Sequence, residues 1–289
     1  MKYLYYPGCS LEGTAVEYNI STKAMMQALD VELVELEDWT CCGATSAEAI
    51  GRMIAYALPA RNLVMAEQMD LDADLLVPCS ACYLNLKKVE ENTRTDTDLL
   101  EKINAVLSAD SLRYEGKVHV RHLLDVLAHD IGPAPIVSRQ AKSFSGMSIA
   151  PYYGCQCLRP FAVFDDPETP RTMEPLIAAS GASVYHWQMG SKCCGASMMS
   201  TKPEVAIELV SALLAEAQGA DAVVTVCPMC QMNLEAYQKR ASRKIGQDLE
   251  ITVLYLPQLL GLAMGLSEET VRLDLNLSVT DTFLKKLRG

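Results

Sequence analysis

The chain has 289 residues and a formal charge of -11. That is room for one large or two ordinary domains, and its acidic balance excludes a nucleic-acid partner, because phosphates need a basic surface. Half of it is hydrophobic (50%), which excludes a disordered chain, yet no apolar run reaches the ~18 residues that cross a bilayer.

Read in chain order, Lys2 to Tyr6 is a short apolar run that reaches Pro7-Gly8 and then Cys9. A turn and a cysteine arrive before any hydrophobic region develops, so no signal peptide is expected, and the protein is expected in the cytoplasm. Thr14 to Asp30 has helical character, Glu32 to Leu36 reads as a strand, and Cys41-Cys42-Gly43-Ala44 follows. A helix is predicted over Ala47 to Met69. A strand, Leu75 to Val77, then runs into Pro78-Cys79-Ser80-Ala81-Cys82, and Cys82 to Glu91 is again helical. Val118 to Arg121 closes this half as a strand.

Gly132-Pro133-Ala134-Pro135 interrupts the pattern, and a boundary is expected between Asp130 and Ser145. Strands are predicted at Ser148 to Tyr152, Ser183 to His186, Ala222 to Val226 and Thr252 to Tyr255, with helices between them. Leu254 to Leu266 is the most apolar stretch, but Pro257 and Gln258 break it, so direct membrane insertion is not expected. Alternating strands and helices imply α/β units around a mainly parallel sheet. Two tandem duplicated domains are expected, 1–140 and 141–289, each such a sheet with flanking helices, related by pseudo-twofold symmetry.

The cysteines carry the argument for duplication. There are 11. A single residue, an adjacent pair and a C-x-x-C occur in that order as Cys9, Cys41-Cys42 and Cys79/Cys82, and again as Cys155, Cys193-Cys194 and Cys227/Cys230. Context repeats too. Tyr6-Pro7-Gly8-Cys9 resembles Tyr153-Gly154-Cys155, Cys41-Cys42-Gly43-Ala44 matches Cys193-Cys194-Gly195-Ala196, and an Asn-Leu pair follows each C-x-x-C, at Asn85-Leu86 and Asn233-Leu234. Inert core cysteines would not keep such register. Because Cys9, Cys79, Cys155 and Cys227 follow apolar runs, the thiols fall at the carboxyl ends of strands, where ligands bind in parallel sheets.

Structural zinc takes four ligands, and each half offers five thiols. Adjacent cysteines diverge and more readily grip different irons of a polynuclear cluster. All-thiolate ligation without an aligned histidine suits iron–sulfur chemistry, with zinc in at least one half as the alternative. Ferredoxin runs and a G-x-G-x-x-G loop are absent from the sequence, so cubane clusters and flavin are expected on other subunits.

The double motif C-x31-C-C-x36-C-x-x-C resembles the cysteine-rich CCG signature, and with it the B subunit of heterodisulfide reductase from methanogens and related anaerobes. The resemblance covers nearly the whole chain, and both motif copies are complete. It implies a non-cubane [4Fe-4S] cluster in each CCG domain, one held by Cys9, Cys41, Cys42, Cys79 and Cys82, the other by Cys155, Cys193, Cys194, Cys227 and Cys230. It further implies reductive cleavage of the mixed disulfide of coenzyme M and coenzyme B. The partners it implies are a flavin-containing A subunit and a small iron–sulfur C subunit, with hydrogenase or formate dehydrogenase subunits in a larger complex. Cleaving a disulfide takes two electrons while a relay delivers one at a time, so the duplication is expected to set one cluster on each side of a small-molecule disulfide. The competing functions are a pure electron-transfer module and a zinc-stabilised scaffold.

The other residues read more blandly. Cys157 has no counterpart in the first half, where Leu11 stands, and is expected to be a spare thiol. His119, His122 and His129 are expected to be ordinary surface or strand-end residues; His186, shortly before Cys193, is the one candidate proton donor. Met198, Met199, Met229 and Met232 are expected to pack rather than ligate. Lys192 and Arg159 adjoin ligand loops, where an anionic substrate or solvent is the expected neighbour.

Overall fold

The computed structural model describes residues 1–44 and 46–289. Strands β1 (Lys2–Tyr5), β2 (Glu32–Glu35), β3 (Leu75–Val77) and β4 (Val120–His122) form one parallel sheet in the order β2-β1-β3-β4. Strands β5 (Ser148–Tyr152), β6 (Ser183–Val184), β7 (Ala222–Thr225) and β8 (Thr252–Tyr255) form a second, in the order β6-β5-β7-β8. The topology therefore repeats strand for strand. Leu4, Leu75, Leu76 and Val77 are fully buried, as are Val224 and Val253. This is why the strands read as continuous apolar runs rather than alternating ones. In each sheet the chain order reverses between the first and third strands. That switch point opens a crevice at their carboxyl ends.

Several predicted elements shift. The helix expected over Ala47 to Met69 is two helices, Ser46–Ile50 and Ile54–Gln68, parted at Gly51, where glycine weakens a helix interior. The expected Cys82 to Glu91 helix starts earlier, at Ser80, with Cys79 as its cap. The Val118 to Arg121 strand slides to Val120–His122, which sets His122 in register with Val77. The strand expected to reach His186 stops at Val184. There the Trp187 indole N–H takes the Pro151 carbonyl at 2.9 Å, and the ladder ends.

The two repeats share a core. One cluster of buried side chains joins Leu4 and Leu76 of the first sheet to Leu254, Leu256 and Leu260 of the second half. A smaller one, around Ala150, Val223 and Leu213, belongs to the second sheet alone. Across the seam the repeats exchange aromatic rings. Tyr18, on the helix Val16–Ala28, stacks on Tyr255 at the end of β8, with centroids 4.0 Å apart and planes 1° from parallel. Phe164 stacks on His122 at the end of β4, at 5.9 Å and 5°. Tyr18 and Phe164 stand equally far after Cys9 and Cys155, and His122 and Tyr255 pair with residues equally far before the C-x-x-C cysteines.

The Tyr18 hydroxyl lies 2.9 Å from the Pro78 carbonyl and 3.1 Å from the Val226 carbonyl. It thus ties together the residues immediately before Cys79 and Cys227. Tyr18→Phe keeps the stack and takes this donor from the Pro78 carbonyl, while the Val226 carbonyl keeps the Ser80 hydroxyl at 3.2 Å. It is expected to cost about 1–3 kcal/mol, read as an earlier midpoint in denaturant unfolding. An unchanged midpoint would show that the hydroxyl holds nothing.

Candidate metal centre

Each strand end delivers its cysteine for a local reason. β1 and β5 run out into Gly8 and Gly154, whose φ values of 73° and 69° let the chain turn sharply into Cys9 and Cys155. β3 and β7 run into Cys79 and Cys227, which cap the helices Ser80–Thr93 and Pro228–Ala236. The second cysteine of each C-x-x-C then sits in a first helical turn. Free amide hydrogens and the positive end of the helix dipole there favour sulfur anions.

The supporting bonds are duplicated. The Tyr6 hydroxyl donates to the Thr40 carbonyl at 2.6 Å, and the Tyr152 hydroxyl to the Lys192 carbonyl at 2.8 Å. Each tyrosine so braces the residue before a cysteine pair. Tyr152, not Tyr153, is therefore the counterpart of Tyr6. The Asn85 amide donates to the Cys42 carbonyl at 3.1 Å, and the Asn233 amide to the Cys194 carbonyl at 2.7 Å. The amide hydrogens of Gly43 and Gly195, both at φ 76°, point to Cys41 Sγ at 3.4 Å and Cys193 Sγ at 3.3 Å.

Sulfur meets sulfur in the same pattern. Cys42 Sγ lies 3.4 Å from Cys82 Sγ, and Cys194 Sγ 3.6 Å from Cys230 Sγ. Cys9 Sγ lies 3.6 Å from Cys41 Sγ, and their counterparts Cys155 and Cys193 line one cavity. In the C-terminal half the five thiols line one cavity of about 50 Å³, together with Ser80, Tyr153, Gln156 and Met229. Cys9, Cys41 and Cys193 are exposed, while Cys42, Cys79, Cys82, Cys194, Cys227 and Cys230 are buried. Each quintet thus has a buried floor and an open rim.

Hydrogen bonds between thiols set their acidity. The Cys155 thiol draws Cys193 down to about 6, helped by the Gly195 amide. Cys230 draws Cys227 down to about 7, helped by backbone amides of the helix start and by the Ser80 hydroxyl. Cys41 and then Cys82 hold Cys42 well below the usual thiol range. The same bonds raise Cys41 and Cys82 in one half and Cys155 and Cys230 in the other, so protons are shared within each group of sulfurs.

The donor set fits a polynuclear iron–sulfur group. It is all sulfur, it exceeds the four ligands of a zinc site, and amide hydrogens already point at its sulfurs, as such centres need. The space is kept open at the backbone. A Cβ on Gly8 would lie 2.8 Å from Cys82 Sγ, and one on Gly154 would lie 2.9 Å from Cys230 Sγ. Among the described residues no three His, Cys, Asp or Glu side chains are set around a single metal ion.

Four other residues singled out in the sequence are placed as follows. Cys157 is buried, beside the Tyr153 carbonyl at 3.3 Å, and burial pushes its thiol up to about 12. It is not among the residues lining the thiol cavity. His186 is exposed and lines a separate cleft of about 800 Å³ with Arg171, Glu174, Trp187 and Lys192. Tyr153 borders both the cleft and the thiol cavity. His186 is not among the residues lining the thiol cavity, because the chain leaves the sheet after Val184. His122, expected at a surface or strand end, is fully buried between the repeats, and burial lowers its pKa to about 3. The matching ends of the two halves, at His122-Leu123 and Tyr255-Leu256, were the signal that could have located it. Arg159 is occupied, donating to the Ser191 carbonyl at 3.0 Å and to Glu168 at 2.9 Å. It braces the loop before Cys193.

Fold and thiols together define a duplicated α/β protein with a matching set of five cysteines in each repeat. Residues 3–87 and 149–235 each match the cysteine-rich domain family CCG, and the chain belongs to that family. It is 33% identical to the 8-methylmenaquinol:fumarate reductase membrane anchor subunit of Wolinella succinogenes, over 95% of this chain and 96% of that one. It is 28% identical to the B subunit of the ferredoxin/F(420)H(2)-dependent CoB-CoM heterodisulfide reductase of Methanosarcina acetivorans, over 98% and 95%. A solved structure of a hypothetical protein from Helicobacter pylori shares the fold, with a TM-score of 0.75 at 15% identity. The match covers 96% of this chain, which spans about half of that one (52%). Among the described residues no helix is long and apolar enough to cross a membrane.

Proposed function

We propose that the chain is the disulfide-reducing subunit of a cytoplasmic electron-transfer complex, a heterodisulfide reductase B subunit with two non-cubane [4Fe-4S] clusters. Cys9, Cys41, Cys42, Cys79 and Cys82 would hold one, in a domain spanning 1–140. Cys155, Cys193, Cys194, Cys227 and Cys230 would hold the other, in a domain spanning 141–289. The observation that carries this reading is the closeness of the two C-x-x-C turns: one tyrosine hydroxyl, that of Tyr18, reaches the carbonyls before both. Centres built on those turns stand on one seam, where a disulfide can meet both.

When bound, such clusters supply one-electron chemistry at irons that accept sulfur. The chain's own residues hold that chemistry in place. Tyr6 and Tyr152 fix the cysteine-pair loops, and Asn85 and Asn233 fix the backbone of Cys42 and Cys194. The exposed rims at Cys9, Cys41 and Cys193 leave room for a small molecule and for a partner subunit to approach. Flavin-bearing A and iron–sulfur C subunits are the proposed partners, with a hydrogenase or formate dehydrogenase as the outer electron source.

A second reading is a subunit that passes electrons to or from a quinol, favoured by the Wolinella relative at 33% identity. Anaerobic preparations decide between the two. Iron and sulfide analysis with electron paramagnetic resonance should first show two centres. A reduced viologen dye should then be oxidised by the coenzyme M–coenzyme B disulfide. If dye oxidation fails with that disulfide, while a menaquinol reduces the centres, the second reading holds. Zinc in place of iron in either half would defeat both.

A further inference from the structure

The two repeats match in nearly every bond around the thiols, but at one position they do not. The residue after the first C-x-x-C cysteine is Ser80 in the N-terminal half and Pro228 in the C-terminal half. Proline has neither a hydroxyl nor an amide hydrogen. Ser80 is buried (1% exposed), and its side chain does not stay with its own half. It crosses the seam and forms part of the wall of the cavity lined by Cys155, Cys193, Cys194, Cys227 and Cys230. Its hydroxyl lies 3.2 Å from the Val226 carbonyl, next to Cys227.

His122 orients that hydroxyl. The Leu124 amide donates to His122 Nδ1 at 3.2 Å, so the ring's hydrogen sits on Nε2. Nε2 lies 3.2 Å from Ser80 Oγ, within hydrogen-bond reach of it, and the Pro78 and Val226 carbonyls face the same ring. The serine oxygen is then an acceptor from His122, and its single hydrogen is left for the Val226 carbonyl, the group immediately before Cys227 on the C-terminal turn. The repeat position of His122 is held by Tyr255. Among the described residues no equivalent relay runs back toward Cys79, because Pro228 has nothing to donate.

We infer that Ser80, oriented by His122, is a positioning residue that raises the reduction potential of the centre held by the C-terminal quintet, and so makes the two centres of this duplicated protein unequal. A hydrogen bond to a ligand sulfur, or a dipole aimed at it, stabilises the reduced and more negative form of a cluster. Electrons entering the pair would settle first on the C-terminal side, which gives the seam a direction. The inference rests on the reading of both quintets as cluster ligands.

The test is a redox titration of the anaerobically purified complex, followed by electron paramagnetic resonance, in Ser80→Ala, Ser80→Thr and Cys194→Ser. Cys194→Ser identifies which transition belongs to the C-terminal centre. In Ser80→Ala that transition alone should move to lower potential, with a roughly tenfold smaller reduced-to-oxidised ratio at fixed potential, equal to 59 mV for one electron. Ser80→Thr, which keeps the hydroxyl, should restore it, and iron content should stay at the wild-type value in both. No shift, or equal shifts in both transitions, overturns the inference. So does iron loss in Ser80→Ala that Ser80→Thr repairs, since the hydroxyl would then serve assembly rather than potential. Failure of the underlying reading looks different: the unmutated complex would lack iron in one half or both.

Discussion

Cys194→Ser is expected to empty the C-terminal quintet and leave the N-terminal one loaded, so that the purified protein carries roughly half the wild-type iron. Cys194 Sγ sits on the buried floor of its site, 3.6 Å from Cys230 Sγ, while Asn233 pins its carbonyl. A serine oxygen in that place is a hard donor where a soft one is required. Cys42→Ser should do the same to the other half, since Cys42 stands 3.4 Å from Cys82 with Asn85 in the matching role. Iron analysis and electron paramagnetic resonance of the two variants should show complementary losses. Full iron and two unaltered signals in both proteins would refute the assignment of the ligands.

The second large effect is expected from a single methyl group. Gly8 adopts φ 73° and ψ 163°, a region that side chains other than glycine's essentially avoid, and its missing Cβ faces Cys82 Sγ at 2.8 Å. Gly8→Ala must therefore strain the backbone and push a buried ligand sulfur at once. A loss of ~2–3 kcal/mol should accompany loss of the N-terminal centre. Gly154→Ala, with its Cβ at 2.9 Å from Cys230 Sγ, should do the same on the other side. Thermal unfolding and iron content would measure both. Stable, fully loaded Gly8→Ala protein would show that the contact between this glycine and the sulfur is slack.

Some of this was legible without coordinates. The thiol register alone pointed to both quintets, because an order of single, pair and C-x-x-C separated by whole strands and helices has no reason to recur by chance. The apolar runs before Cys9, Cys79, Cys155 and Cys227 placed the cysteines at strand ends, since strands buried on both faces lack alternation. Less was legible at element ends. The helix cap at Cys79 was hidden because a thiol is not a usual capping group. The later start of β4, by two residues, was hidden because Val118 and Val120 fit a strand equally well, and only pairing with β3 chooses between them.

The sequence by itself determined the duplication, the parallel α/β class and the ten thiols, because each is written in local pattern: periodicity, turn residues and repeated spacing. Only the tertiary structure decided that the repeats exchange rings, that Tyr18 spans the carbonyls before both C-x-x-C turns, that His122 is sealed between them, and that Ser80 faces the opposite quintet. The physical reason is the length of these contacts in sequence. Ser80 and Val226 meet because two sheets bury one shared core, and no periodicity within either half encodes which face will meet its copy.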